Sequence, residues 1–343
     1  MQSRKAKRVL IVGARGELGR LTVRAFQASG WGVRRGTRAP VADGDVGVTL
    51  DRIDSVRAAA RDHELIVNVV PHPDLLMERA VLEYGGALIN ISAPPAAASR
   101  ALRAVAGGAR GTVILNAGFV PGVSNLVAAD LLRAHPDADE LELVLTISVL
   151  STRGPAGAAF VNHGLRVLAR HRTAVVPLPE PFGESDCVGF SEDDAGWLGG
   201  VAEGRVVRVY VRLAEPAAQQ CLLARNRAGA LTGLSGCLPV TPTPAGGRAS
   251  REPVAHWIAA KLRGRRLAAR TLECAGHYAH AARCALVFAE NLLAEPRRCG
   301  CFDPEEVFTL DELNPKLARS GISTVDQPVG GAAGLDCGDA DLG

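Results

Sequence analysis

The feature that most constrains this fold is a short apolar run that leads directly into three evenly spaced glycines. The segment reads Val9-Leu-Ile-Val-Gly13-Ala-Arg-Gly16-Glu-Leu-Gly19. A buried strand that passes through a glycine turn into a helix is the start of a βαβ unit. In such a unit Gly13 permits the tight turn, Gly16 lets backbone N–H groups approach a diphosphate, and Gly19 lets the helix lie close to the strand. Because the helix N-terminus adds partial positive charge, the segment predicts dinucleotide binding.

Apolar runs and helical patterns alternate through the first third of the chain, which is typical of a parallel sheet with helical crossovers. We therefore predict an α/β fold, a doubly wound parallel Rossmann sheet, over residues 1–134. Its predicted strands are Arg8–Val12, Gly32–Arg35, Leu65–Val70, Ala87–Ile91 and Thr112–Leu115, with a weak candidate at Val46–Leu50. Its predicted helices are Gly16–Ser29, Ser55–Asp62, Leu75–Tyr84, Ala96–Ala106 and a last one that ends at Leu132.

The pattern changes after His135-Pro136. Long β-branched runs at Leu141–Leu150 and Val206–Leu213, with a predicted helix at 157–170 between them, indicate an α+β substrate and dimerisation domain over residues 135–274. Apolar helices within 275–320 are expected to pack back on the first domain. From Ser323 the chain turns to Gly, Ala and Asp, so residues 323–343 are predicted to form a disordered tail.

Charge and hydropathy exclude several classes of protein. The net charge is +3, with acidic and basic residues interspersed, so no basic block favours nucleic acid. No apolar stretch approaches the roughly 18–20 residues that cross a bilayer, and the start reads as a strand instead of a signal peptide, so we expect a cytoplasmic protein. Eight cysteines lack the paired C-x-x-C spacing of a zinc site, and no metal is expected.

The choice of cofactor is made where the second strand ends, at Arg34-Arg-Gly36-Thr37-Arg38. An NAD enzyme places an acidic residue about 20 positions after the glycines to bind the ribose hydroxyls. This stretch has no carboxylate, and Arg35 and Arg38 can pair with a 2′-phosphate while Thr37 adds a hydroxyl. The sequence therefore favours NADP (NADPH); the alternative is a solvated basic strand end.

Polar residues follow the next strands at the edge of the sheet where ligands bind. Val70, Pro71 and His72 follow one strand, and Asn90 and Asn116 end the two after it. His72 is a candidate for proton transfer near the nicotinamide, with a loop histidine bonded to backbone as the alternative. The residues predicted to contact the cofactor are Gly13, Arg15, Gly16, Glu17, Leu18, Gly19, Arg35, Thr37, Arg38, Val70, Pro71, Asn90 and Asn116.

Other catalytic patterns are absent from the sequence. Classical short-chain dehydrogenases have a tyrosine followed by a lysine four positions later, whereas Tyr84, Tyr210 and Tyr278 are followed at that spacing by leucine or alanine. Neither the G-x-S-x-G pattern of hydrolases nor the H-E-x-x-H pattern of zinc proteases occurs.

A set of these segments resembles the saccharopine dehydrogenase (saccharopine reductase) family. The resemblance lies in the glycine loop, Gly36-Thr-Arg38, Ile66-Val-Asn-Val-Val-Pro71 and Gly118-Phe-Val-Pro121-Gly122. It extends to Gly276-His-Tyr-Ala-His280 and Gly300-Cys-Phe-Asp-Pro-Glu305. It covers about the first 135 residues and roughly 270–315, whereas the middle matches only in character. One departure is Asn90, where that family often has Asp.

The resemblance implies an oxidoreductase, usually a dimer, that uses NAD(P)H to reduce an imine or runs the reverse reaction. A small-molecule substrate with a carboxylate is expected, for which Arg153 and Arg166 are the candidate ligands and His163 a candidate proton carrier. A solvated helix face is the alternative for Arg166. A trans-acting enoyl (C=C) reductase is the second hypothesis, since such enzymes share the resemblance. A non-catalytic NADP(H) redox sensor is the third.

Overall fold

Two seven-stranded sheets organise the part of the chain that the structure describes. This computed structural model describes residues 7–149, 161, 164–165, 171–178, 180, 182–190, 198–231, 253–294 and 298–327.

The first sheet is parallel throughout and has the order β13-β6-β5-β4-β1-β2-β3. Its central strands form because they are short apolar runs; Leu10, Ile66 and Leu88 are fully buried. Parallel strands bring all their carboxyl ends to one edge, which we call the carboxyl edge. The strands are β1 (Arg8–Val12), β2 (Gly32–Thr37), β3 (Asp45–Gly47), β4 (Leu65–Asn68), β5 (Ala87–Asn90), β6 (Thr112–Ile114) and β13 (Gly300–Phe302).

The second sheet is mixed and has the order β14-β12-β11-β7-β10-β9-β8. Only the β7–β10 pair is parallel among the described strands, and the other neighbours are antiparallel. The strands are β7 (Glu140–Ile147), β8 (Thr173–Pro177), β9 (Glu184–Gly189), β10 (Val206–Leu213), β11 (Pro253–Leu262), β12 (Arg265–Ala275) and β14 (Ser323–Gln327).

Helices cover both faces of the first sheet. Residues of α1, α5 and α7 pack with Val9 and Ile11 on one face, and residues of α2, α3 and α4 pack with Leu10 and Val12 on the other. This is the doubly wound arrangement. The helices described are α1 (Glu17–Ala28), α2 (Ile53–Asp62), α3 (Leu76–Tyr84), α4 (Ala96–Ala104), α5 (Val123–Ala134), α6 (Pro216–Arg227), α7 (His277–Leu292) and α8 (Leu310–Arg319).

One hydrophobic core joins the two sheets. Leu143 and Ile258, on one face of the second sheet, belong to the same buried cluster as Leu126 of α5 and Phe288 of α7. The opposite face of the second sheet has its own cluster around Trp257. The two sheets are therefore joined through the helices α5 and α7.

The structure confirms the predicted fold class, and it differs from the sequence analysis at the C-terminal end. The tail predicted to be disordered from Ser323 begins instead with β14, because residues 323–327 pair with β12 in an antiparallel ladder. The second sheet thus continues beyond the predicted boundary at residue 274. Most of the helix predicted over 157–170 and all of 328–343 lie outside the described residues. Among the described helices, none has both the length and the apolar character to cross a bilayer.

Candidate functional site

The glycine loop between β1 and α1 is packed so closely that side chains are excluded at two of its three glycines. Gly13 has a φ of 84°, and a Cβ there would collide with Val70 and lie 2.9 Å from Cγ2 of Val69. A Cβ on Gly19 would collide with the carbonyl oxygen of Gly13 and lie 2.8 Å from Cα of Ala14. These contacts hold the start of α1 directly on the end of β1.

The N-terminus of α1 is open towards solvent at the carboxyl edge. Gly16 occupies the cap position with extended backbone, it is exposed, and no side chain caps the first turn. A Cβ at Gly16 would come no nearer than 3.4 Å to protein atoms, at the oxygen of Gly13. Because no cap hydrogen bond from the side chain of the cap residue occupies this turn, an anion can lie against the helix N-terminus.

An ion cluster lies beside this loop, at the end of β2. Asp45 of β3 accepts from Arg35 Nε with Oδ1 at 2.9 Å and from Arg15 with Oδ2 at 3.1 Å. The backbone N–H of Val41 also donates to Oδ2, at 3.1 Å. That hydrogen bond is the largest cause that lowers the pKa of Asp45, and the two arginines add to it. The stretch 34–38 itself has no carboxylate, and the neighbouring strand β3 places one beside it.

Two further residues predicted near the cofactor complete this end of the site. Thr37, the last residue of β2, is 7% exposed, and its hydroxyl has no partner in the described structure. Arg38 follows it and is exposed.

The loop after β4 brings Val70 against Gly13 and leaves Pro71 exposed. His72 lies beyond them and is only 8% exposed. Its Nδ1 accepts from the backbone N–H of Asp74 at 3.2 Å, so in the neutral ring Nε2 carries the hydrogen and donates to Asp51 Oδ1 at 3.2 Å. Both ring nitrogens therefore serve the loop, and the geometry favours the alternative of a loop histidine over proton transfer.

A buried carboxyl group under β4 and β5 orients the next strand ends. Oε1 of Glu78 accepts from Asn68 Nδ2 at 2.8 Å and from Asn90 Nδ2 at 2.7 Å. Burial raises the pKa of Glu78. The side-chain Oδ1 of Asn90 accepts from Ser92 N and Oγ, and Asn90 is fully buried. The side chain of Asn90 thus shapes the loop around Ser92, and its contact with the cofactor stays a prediction.

Asn116 is also committed to protein partners. It follows β6 with a φ of 51°, and its Nδ2 donates to Asp303 Oδ1 at 3.0 Å. Asp303 is 3% exposed and also pairs with Arg103 at 2.5 Å. Asn116 therefore ties the first-domain loop to the segment after β13, and its contact with the cofactor stays a prediction.

Next to Asp303, the carboxyl group of Glu305 lies at the N-terminal turn of α5. Its Oε1 accepts from Asn125 Nδ2 at 3.4 Å, while Oε2 is buried without a partner in the described structure. Burial is the main cause that raises the pKa of Glu305 to about 8, and the charge of Asp303 adds to it. Glu305 therefore carries a proton at neutral pH.

Three histidines gather where the loop after β6 meets the second sheet. His256 of β11 is 1% exposed, and its ring lies 5.2 Å from that of Phe119 and 4.9 Å from that of His277. His277 Nε2 hydrogen bonds to the carbonyl of Thr146 at 2.8 Å. His280 bonds to the carbonyl of Gly276 at 2.8 Å.

All three imidazoles are neutral at pH 7. Burial is the main cause in each case: it lowers the pKa of His256 far below its usual value, that of His277 to about 4, and that of His280 in the same direction. His256, His277 and His280 therefore form an uncharged cluster, which we call the histidine cluster.

Tyr278 lies on α7 between His277 and His280 of the histidine cluster, and α7 packs on α1, the helix that follows the glycine loop. Burial, together with the charge of Glu17 in the first turn of α1, raises the pKa of Tyr278 to about 12. Its phenol remains protonated throughout the physiological range and is available as a proton donor.

The second sheet approaches the same place through the carboxyl ends of β7 and β10. Ser148 Oγ donates to Glu215 Oε1 at 2.6 Å, and the N–H of Val149 donates to Oε2 at 3.0 Å. Since Thr146 also meets His277, the chain leaves β7 beside the N-terminus of α7. The predicted substrate residues Arg153, His163 and Arg166 come next in sequence and lie outside the described residues.

Sequence reasoning missed six contributors to this site: Asp45, His256, His277, Tyr278, His280 and Glu305. His277 and Glu305 stand in the segments that carry the family resemblance, but nothing in their local pattern distinguishes them from ordinary surface residues. His256 is enclosed in an apolar run, and that position in the sequence was the available signal.

No protein-family model matches the chain, and no curated protein matches it. Among solved structures, it is similar to the C. glutamicum DAP dehydrogenase in complex with DAP, with a TM-score of 0.46 and 12% identity over 90% of this chain and 98% of that one. It is also similar to a short-chain dehydrogenase/reductase superfamily protein from Agrobacterium tumefaciens with bound NAD, with a TM-score of 0.21 and 16% identity over 24% and 31% of the two chains.

A third similar structure is an oxidoreductase of the short-chain dehydrogenase/reductase family from Brucella ovis with a partially ordered NAD. Its TM-score is 0.25, at 15% identity over 32% of this chain and 83% of that one. The match spans between 31% and 48% of the length of the first three neighbours. At these identities the likeness is one of fold.

Proposed function

We propose that the protein is an NADP(H)-dependent oxidoreductase of the saccharopine dehydrogenase type that reduces the C=N bond of an imine formed from an amino-acid-like or amine substrate. The observation that carries the proposal is the uncapped N-terminus of α1, held on β1 by Gly13 and Gly19 and flanked by two guanidinium groups.

The residues present fit a dinucleotide. The exposed Gly16 leaves room for a diphosphate against the first-turn amides of α1, where the helix dipole favours negative charge. Arg15, Arg35 and Arg38, together with the unpartnered hydroxyl of Thr37, suit an additional phosphate at the end of β2. When bound, the reduced nicotinamide supplies a hydride to an electron-poor carbon.

The residues on the substrate side suit an imine that takes up its proton during hydride transfer. His256 and His277 are neutral and add no positive charge here, and the ring of His256 packs against those of His277 and Phe119 in the protein interior. The phenol of Tyr278, adjacent to His277, holds a proton that it can donate to the imine nitrogen. The proton moves as the hydride adds to the carbon, when the nitrogen becomes basic enough to take it, and the phenolate regains a proton from solvent.

The test has two stages. The purified protein is titrated with NADPH and with NADH, using nucleotide fluorescence or calorimetry, and we expect saturable binding with NADPH preferred. Oxidation of NADPH is then followed with mixtures of 2-oxo acids and amines and with a panel of enoyl thioesters. Absence of binding to both nucleotides refutes the proposal. Turnover only with enoyl thioesters favours the C=C reductase, and tight binding without turnover favours the redox sensor.

The resemblance also implies a cytoplasmic homodimer, which we include in the proposal. Light scattering coupled to size-exclusion chromatography, at the protein concentration of the activity assay, tests the dimer; a mass of one chain contradicts it.

A further inference from the structure

We infer that Asp45 is the residue that sets the preference for NADPH over NADH, because it holds Arg15 and Arg35 side by side as a receptor for the 2′-phosphate. This inference rests on the proposed function and adds a positioning residue to it.

The carboxylate of Asp45 is buried, and the two guanidinium groups bound to it lie towards the solvent. The side chain of Asp45 is 3% exposed, whereas those of Arg15 and Arg35 are 46% and 43% exposed. Oδ1 accepts from Arg35, and Oδ2 accepts from Arg15 and from the N–H of Val41. With three donors already bound and almost no exposure, Asp45 has no free oxygen for the hydroxyls of a ribose.

Each arginine keeps donors that Asp45 does not use. Arg35 is bound through Nε, which leaves both of its terminal nitrogens, and Arg15 is bound through one terminal nitrogen. Within the described structure these remaining nitrogens make no other bond to a carboxylate. A phosphate monoester presents three acceptor oxygens, so two fixed guanidinium groups match it, whereas the two neutral hydroxyls of NADH gain little from them.

The fold brings the three residues together by backbone pairing. Asp45 is paired with Arg35 in the parallel ladder of β3 and β2. The carbonyl of Gly36 accepts from the N–H groups of Gly13 and Ala14, at 3.0 and 3.3 Å, which fixes the glycine loop to the same strand. Arg15 therefore faces Asp45 from a rigid loop. Two long side chains that otherwise sample many rotamers are held in one place before the ligand arrives.

The test compares Asp45→Asn with the wild-type protein in dissociation constants for NADPH and NADH. The amide keeps the size of the side chain and loses the charge that orders both arginines. We expect about tenfold weaker binding of NADPH and a change below about twofold for NADH. Glu83→Gln is the matched control, since Glu83 forms an exposed pair with Arg57 at 3.5 Å away from the site; it should change neither constant.

A double-mutant cycle separates positioning from a general loss of structure. If Asp45 acts through Arg35, then Asp45→Asn should add little to the loss already caused by Arg35→Ala. Circular dichroism and a thermal melt confirm that each variant is folded. If Asp45→Asn weakens the binding of NADH as much as that of NADPH, Asp45 is a ribose ligand or a structural residue. If Asp45→Asn binds NADPH more tightly than the wild-type protein does, the carboxylate competes with the phosphate. Either result overturns the inference. If the wild-type protein binds neither nucleotide, the proposed function fails as well.

Discussion

The ring of His256 lies edge to face with that of His277, at 4.9 Å between centroids and 61° between planes, in a place where neither ring carries a charge. Both nitrogens of His256 are buried without a hydrogen-bond partner in the described structure. Folding therefore keeps two imidazoles neutral that would be protonated in the unfolded chain at mildly acidic pH.

Because of His256 and His277, the free energy of unfolding should decrease at acidic pH. The folded pKa of His277 is about 4, against an ordinary value of 6.5, and that of His256 is also depressed. Between the folded and the unfolded pKa, the unfolded state binds more protons than the folded state. The free energy of unfolding therefore falls as the pH decreases from 6.5 towards 4, by up to about 1.4 kcal/mol per pH unit for each histidine. His256→Leu should remove the contribution of one titrating group to this pH dependence. The free energy of unfolding of this variant at pH 8 should equal or exceed that of the wild-type protein.

Urea unfolding of His256→Leu at pH 5 and pH 8 measures the effect. His135→Gln, at the end of α5 and outside the ring cluster, is the control. If His256→Leu loses as much stability in acid as the wild-type protein, the neutral buried imidazole is not the cause.

The two glycines around the start of α1 should fail in different ways. Gly19→Ala places a methyl group on the carbonyl of Gly13, so we expect the free energy of unfolding to drop by at least about 2 kcal/mol. Gly16→Val has room within the protein but fills the place of the diphosphate, so it should lose nucleotide binding and keep its fold. Denaturant curves and NADPH titrations distinguish the two, with Gly107→Ala, which meets nothing within 4 Å, as control. Full NADPH affinity in Gly16→Val would contradict the loop assignment.

The contribution of Glu305 to the free energy of unfolding should change with pH in the direction opposite to that of the histidines. Its folded pKa is raised from 4.5 to about 8, so the folded state holds a proton that the unfolded state has released in this range. The free energy of unfolding therefore falls as pH rises from 4.5 to 8, by up to about 1.4 kcal/mol per pH unit. Glu305→Gln should remove this slope and stabilise the protein at pH 8. The comparison uses melts at pH 5, 6.5 and 8, with the exposed Glu184→Gln as control; an unchanged slope argues against a buried neutral carboxyl group.

Tyr278 should affect turnover without affecting cofactor affinity. In the proposed reaction Tyr278→Phe removes the proton donor, and we expect kcat to fall roughly 100-fold or more while the dissociation constant for NADPH stays within about twofold. Tyr84→Phe is the control, because Tyr84 hydrogen bonds to Arg61 at 2.9 Å away from the site. Unchanged turnover in Tyr278→Phe would assign the proton to another group, and the raised pKa of Glu305 makes that carboxyl group the next to examine.

Features set by neighbouring residues were predictable from the sequence. The run from Val9 to Gly19 determines a strand, a turn and a helix by local sterics alone, and the structure has all three. The buried strands β4 and β5 are likewise short apolar runs that can lie only inside a parallel sheet. The weak candidate at Val46–Leu50 was shifted, because β3 is an edge strand of three residues that depends on pairing with β2.

Features set by long-range pairing were not predictable. Asp45 meets Arg15 across 30 residues, and Asn116 meets Asp303 across 187. No local pattern encodes either contact. The strand β13 is Gly-Cys-Phe, a sequence with no strand signal of its own, and it exists because β6 offers an unpaired edge.

The last described segment, from Gly300 to Gln327, contributes one edge strand to each sheet, with β13 beside β6 and β14 beside β12. Within the described residues, the chain thus returns to the first sheet and then joins the second. No single cut after the nucleotide-binding half would release a self-sufficient module, since each lobe would lose a strand that the other end of the chain supplies. Nicking, deletion or fusion at this end should therefore disturb cofactor and substrate halves together, as one cooperative unit.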